Sequence, residues 1–83
     1  MQGPQLFASK TCSACTEALR FVNSRPDILA AIQIKFVDDP KVHEEMMREA
    51  RNSTAVPTLV LDGHIYRGAH QIRAALLEEF GSK

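Results

Sequence analysis

Apolar positions along this chain follow two periods in turn, and the switches between them mark out its elements. The run "QLFA" at 5–8 leads into the small polar residues Ser9 and Thr11, the pattern of a buried strand entering a loop. From Ser13 onward, Cys15, Ala18, Leu19 and Val22 recur at helical spacing, with Glu17 and Arg20 facing elsewhere. That helix is expected to end near "NSRP", because Pro26 disfavours helical geometry at Arg25. "IQIKFVDD" then sets Ile32, Ile34 and Phe36 against Gln33 and Lys35, the period of a half-buried strand. Asp39 suits the cap of the next helix and Pro40 its first position, and Val42, Met46 and Ala50 mark one face of it. "TLVLDGHIYR" reads as a hairpin turning at Asp62-Gly63, and after Gly68 a last helix places Ile72, Ala75, Leu76 and Phe80 on one stripe.

The predicted order is βαβ followed by αββα, an α/β arrangement whose sheet mixes parallel and antiparallel pairs. A right-handed first crossover is expected, as parallel crossovers almost always have that hand. At 83 residues, without repeats, low-complexity runs or linkers, the chain is expected to form one domain over 1–83. Its 45% hydrophobic and 24% charged residues are ordinary for a folded globular protein. Ten Lys plus Arg balance ten Asp plus Glu, which leaves no basic footprint for nucleic acid and no polybasic membrane patch. The start, "MQGPQLFASK", lacks the pattern of a secretory signal, and the apolar runs are too short to span a bilayer, so a soluble cytoplasmic protein is expected.

Both cysteines fall in "SKTCSAC", separated by two residues at the strand-to-helix junction. A disulfide closing so short a loop removes little chain entropy, which argues against a structural staple. Zinc would need two further ligands from His43, His64 and His70, and the interval from Cys15 to His64 far exceeds that of a zinc finger. Two inert small core residues are the remaining bland reading. Thiol–disulfide exchange, in contrast, needs a thiolate and a second thiol close enough to resolve the mixed disulfide. The unpaired N–H groups and dipole at a helix N-terminus favour negative charge, and Cys12 lies there. Cys15, one turn on and on the apolar stripe, is expected to be the more buried thiol. Cys12 is therefore assigned as nucleophile and Cys15 as resolving residue. Pro57 should stand at the start of "TLVL", and since only about 5–6% of X–Pro bonds are cis, sequence physics alone favours a trans turn there.

With strand "QLFA" before "SKTCSAC", with "AVPTLVLDGHIYRGAHQI" after the second helix, and with the βαβ-αββα order, the chain resembles the thioredoxin-fold redox proteins, most closely the small glutaredoxin-like ones. The resemblance covers nearly the whole chain. It implies a four-stranded mixed sheet with three helices, and a dithiol–disulfide oxidoreductase acting on protein or small-molecule disulfides through Cys12 and Cys15. It also implies a cis bond between Val56 and Pro57, the pair forming a platform for the substrate backbone. Where dithiol glutaredoxins carry C-P-Y-C, this chain has Ser13 and Ala14 between the cysteines. The basic residue that glutathione-binding members place three before the first cysteine is Ser9 here; Lys10, one place later, is either its substitute or a solvated lysine. Of the G-G-x-D-D stretch that opens the family's last helix, Arg67-Gly68-Ala69-His70-Gln71 retains only the second glycine, so Gly68 is either a ligand contact or a turn position needing positive φ.

The implied partners are a disulfide-containing protein substrate and an electron donor. The donor is either glutathione as reducing co-substrate or a thioredoxin-reductase-type enzyme, which serves the relatives that reduce ribonucleotide reductase. No tightly bound cofactor and no metal site are expected, and the protein is expected to be a monomer. Two other readings use the same residues: a zinc or iron–sulfur module, and a thioredoxin-like interaction domain with little turnover. Single-thiol cluster carriers have C-G-F-S, with serine where this chain has Cys15.

Overall fold

Prolines and glycines punctuate this chain at the points where its backbone changes direction. The computed structural model describes residues 3–51 and 55–81, so "TAVPT" is described from Ala55 on. The elements are β1 (Gln5–Ala8), α1 (Ser13–Asn23), α2 (Pro26–Ala31), β2 (Gln33–Phe36), α3 (Pro40–Glu49), β3 (Thr58–Leu61), β4 (His64–Arg67) and α4 (Ala69–Phe80). The sheet order is β2-β1-β3-β4, with β1 parallel to β2 and antiparallel to β3, and β3 antiparallel to β4. This is the α/β fold and mixed four-stranded sheet that the sequence pattern predicts.

The helix count differs from expectation, four rather than three, and Pro26 is the cause. It does stop α1: Arg25 is extended (φ −123°, ψ 94°), as a residue before proline prefers. Its ring, with φ already near the helical value, then opens the six-residue α2. Arg25 also clips two elements together. Its guanidinium pairs with Asp27 through two hydrogen bonds of 3.0 and 2.8 Å and donates to the Gly81 and Phe80 carbonyls at 3.0 and 3.4 Å, at the end of α4. The bond from Arg25 holds the Asp27 carboxyl below its ordinary range.

Two apolar clusters lie on opposite faces of the sheet, as alternating strand residues require. On one face Leu6, Leu59 and Leu61 meet Val22, Ile28, Ile72, Ala75 and Leu76 from α1, α2 and α4. On the other, Phe7 packs with Met46 and Ala50 beneath α3. The α3 start follows from its sequence: Asp39 Oδ1 accepts from the Lys41 amide at 2.9 Å, and Pro40 occupies the first turn. Lys35 of β2 reaches Glu45 of α3 and Gln5 of β1, binding the sheet edge to that helix. At the hairpin, Asp62 (φ 51°) and Gly63 (φ 81°) are both left-handed, the conformation that selects Asp-Gly for a two-residue turn.

Candidate active site

β1 delivers the chain to the dithiol and α1 receives it. Cys12 is the N-cap of α1, extended at φ −108° and ψ 120°, and its Sγ accepts the Cys15 amide at 3.1 Å, as a serine or aspartate oxygen does at an ordinary cap. The Cys12 carbonyl accepts from the Thr16 amide at 3.1 Å and from Thr16 Oγ1 at 3.2 Å, which fastens the first turn. Both cysteines are free thiols; Cys12 is half-buried and Cys15 is fully buried.

This difference in setting separates the two sulfurs chemically. The Cys15 thiol is pushed up from an ordinary 9.0 to about 11, first by burial and then by its hydrogen bond with Cys12. The Ser9 amide, which donates to Cys15 Sγ at 3.4 Å, pulls the other way, while the charges of Cys12 and Asp38 add to the rise. Cys15 is thus held as a neutral thiol beneath the more accessible Cys12.

Val56 and Pro57 stand beside the pair. The Val56 carbonyl accepts from Cys12 Sγ at 3.8 Å, and the Val56–Pro57 bond is cis. The Pro57 carbonyl accepts from the Gly68 amide at 3.0 Å, joining this segment to the start of α4. Gly68 is the N-cap of α4 at φ 87° and ψ 149°, and a Cβ built there meets nothing within 4 Å. Conformation, not crowding, therefore requires glycine at this position. Cys12, Cys15, Val56, Pro57 and Gly68 are thus joined by three hydrogen bonds and the Val56–Pro57 peptide bond. Lys10 lies on the β2 side of the same loop, its ammonium 5.6 Å from the Phe36 ring centroid.

Asp38 is the residue that sequence reasoning missed. Its carboxylate accepts from the Lys10 amide at 3.0 Å and from Ser9 Oγ at 3.3 Å, clamping the loop that carries Cys12. The signal lies in the topology: parallel β1 and β2 pair Ala8 with Phe36, so residues just past both strands emerge at one edge of the sheet. That carboxyl end of parallel strands is where α/β proteins commonly build their sites. Among the described residues, no three His, Cys, Asp or Glu side chains gather as they would around a metal ion, and the zinc or cluster reading is not favoured. No helix among those residues is long and apolar enough to cross a membrane.

No family model and no curated relative matches the chain. Among solved structures it is similar to a dithiolic glutaredoxin of the pathogen Trypanosoma brucei brucei, with a TM-score of 0.61 over 96% of this chain and 81% of the other. The chain shares that protein's thioredoxin-type α/β fold. At 21% identity the likeness is one of architecture; independently of it, the spacing of Cys12 and Cys15 fits a C-x-x-C-type site.

Proposed function

We propose that the protein is a dithiol–disulfide oxidoreductase that reduces disulfides through Cys12 and Cys15. The observation that carries this reading is the asymmetry of the pair: an accessible sulfur capping a helix, hydrogen-bonded by the amide of a second cysteine buried one turn below. In the first step the Cys12 thiolate attacks one sulfur of the substrate disulfide, forming a mixed disulfide and releasing the other sulfur as a thiolate. Cys15 then gives up its proton and attacks Cys12 Sγ, and the second substrate sulfur departs. Two electrons and two protons pass to the substrate, and a Cys12–Cys15 disulfide remains.

The causes of the Cys15 shift suit this order. Part of what keeps its proton bound is the hydrogen bond and charge of Cys12. Both are lost once Cys12 Sγ is tied up in the mixed disulfide, so Cys15 becomes easier to ionise when it must react. Lys10, Val56, Pro57 and Gly68 are the residues we assign to the substrate side, with the Val56–Pro57 backbone as platform. An external donor, glutathione or a thioredoxin-reductase-type enzyme, returns the pair to the dithiol form. We place this activity in a cytoplasmic monomer.

The test is a coupled assay on a small disulfide, with glutathione and its reductase in one arm and thioredoxin reductase in the other. Wild-type protein should turn over in at least one arm, and Cys12→Ser in neither. Cys15→Ser should accumulate a mixed disulfide visible by mass spectrometry. Full activity in Cys12→Ser would sink the nucleophile assignment, and the absence of any reversible Cys12–Cys15 disulfide would sink the redox reading itself.

A further inference from the structure

Helix α4 lies between two grooves of opposite character. On the side of the β3–β4 hairpin, with Leu61 and Tyr66, it presents Glu78 and Glu79. On the other side, between α1 and α4, the groove holds Arg20, Phe21 and Glu17 from α1 with His70 and Arg73 from α4. Its volume of about 530 Å³ falls in the range of roughly 300–1,000 Å³ that takes a ligand or a short run of side chains. The chain as a whole has a net charge of zero, so this basic groove is a matter of where charge is placed.

Three observations define what fits there. First, neither Arg20 nor Arg73 has a carboxylate partner among the described residues, where the ion pairs are Arg25–Asp27 and Lys35–Glu45. Second, the Arg73 guanidinium carbon lies 5.6 Å from the centroid of the half-buried Phe21 ring, within cation–π reach, so the cation is held at an apolar surface and not left to roam in solvent. Third, the groove is lined by residues that lie close in the chain to the dithiol and to the segment bonded beside it. Glu17 follows Cys15 by two residues in α1, and Ala69, also on the groove, follows Gly68, whose amide is bonded to the Pro57 carbonyl. A polypeptide whose disulfide reaches Cys12 would carry its flanking residues past the start of α4 into this groove.

We propose that the α1–α4 groove docks an acidic segment flanking the reactive disulfide of a polypeptide substrate, with Arg20 and Arg73 receiving carboxylates and Phe21 an apolar side chain. This rests on the oxidoreductase reading and adds a substrate class to it. Exposed complementary charges act mainly on encounter and selectivity, and salt weakens them.

The experiment uses two synthetic peptides with one internal disulfide each, one flanked by four glutamates and the other by four glutamines. Reduced protein is mixed with peptide in a single turnover, in which the protein dithiol becomes a disulfide and the peptide disulfide a dithiol, so no outside reductant is needed. Serine-for-cysteine versions of both peptides report binding alone. We expect the glutamate peptide to react and bind about tenfold better at low salt. That advantage should vanish at high salt and in Arg20→Ala/Arg73→Ala, with reduction of a small neutral disulfide unchanged in that variant. Equal reduction of both peptides would overturn the groove and leave the oxidoreductase reading standing. Reduction of neither, with Arg-dependent binding of the acidic serine peptide, would overturn the oxidoreductase reading and keep the groove. Equally tight binding of a single-stranded oligonucleotide of the same charge, or a dimer that the double substitution dissolves, would overturn the assignment of an acidic polypeptide.

Discussion

Alkylation of the reduced protein at pH 8 should strike the two cysteines at very different rates, and the size of the difference at Cys15 follows from its surroundings. A thiol at an ordinary 9.0 is about one-tenth ionised at pH 8, whereas one at about 11 is ionised to about one part in a thousand. Only the thiolate reacts, so ionisation alone slows Cys15 about a hundredfold relative to the unfolded chain. Its complete burial slows it further. The assay is a timed iodoacetamide reaction with peptide mapping by mass spectrometry, run on native protein and on protein in urea. Cys12→Ala adds an internal control: it removes the hydrogen bond and charge that Cys12 contributes, so Cys15 should react faster than in wild type. It should still react more slowly than in urea, because burial is the largest cause. The sign of the linked stability is also fixed. The folded-state value lies above the unfolded one, so the contribution is full below pH 9 and is lost as pH rises toward 11. Native Cys15 reacting within about tenfold of its rate in urea would refute this account.

Other substitutions test the scaffold around the pair. Leu76→Ala empties a fully buried position in the larger cluster and should lower stability by about 2–5 kcal/mol in urea titration. Gly68→Ala should lose about 1–3 kcal/mol through φ alone, since the added methyl meets nothing; a D-alanine installed by chemical synthesis should lose far less. Asp38→Ala should speed hydrogen exchange at the Lys10 amide about tenfold and let Cys15 ionise more readily, and unchanged exchange there would show that the clamp is idle.

What could be read from the sequence was whatever local chemistry decides. Asp62-Gly63 announced its hairpin because few residues tolerate two successive left-handed positions, and Asp39-Pro40 announced α3 because both act within one turn. The placement of the cysteine pair was legible for the same reason, cap and first turn being neighbours in the chain. Pro26 was read only as a stop signal, although the ring that ends one helix can begin another. Asp38 and the Arg25 clip were out of reach because their partners are remote. Lys10 lies 28 positions before Asp38 and Gly81 lies 56 positions after Arg25. Such contacts exist only once the strands have paired in register and the helices have docked. The basic α1–α4 groove has the same origin, since its charges sit on helices that meet only in the folded molecule.

Leu6 and Phe7 are adjacent in β1, yet each anchors a different cluster, one facing α1, α2 and α4 and the other facing α3. The two halves of the interior therefore share a single four-residue strand, which couples the stability of one to that of the other. Cooperativity is thereby built into the centre of the sheet. A lesion under α3, on the face away from α1 and α4, should lower the same thermal transition as one beside them. Exposure of the Cys15 sulfur should then report unfolding of the whole molecule, wherever the damage was done.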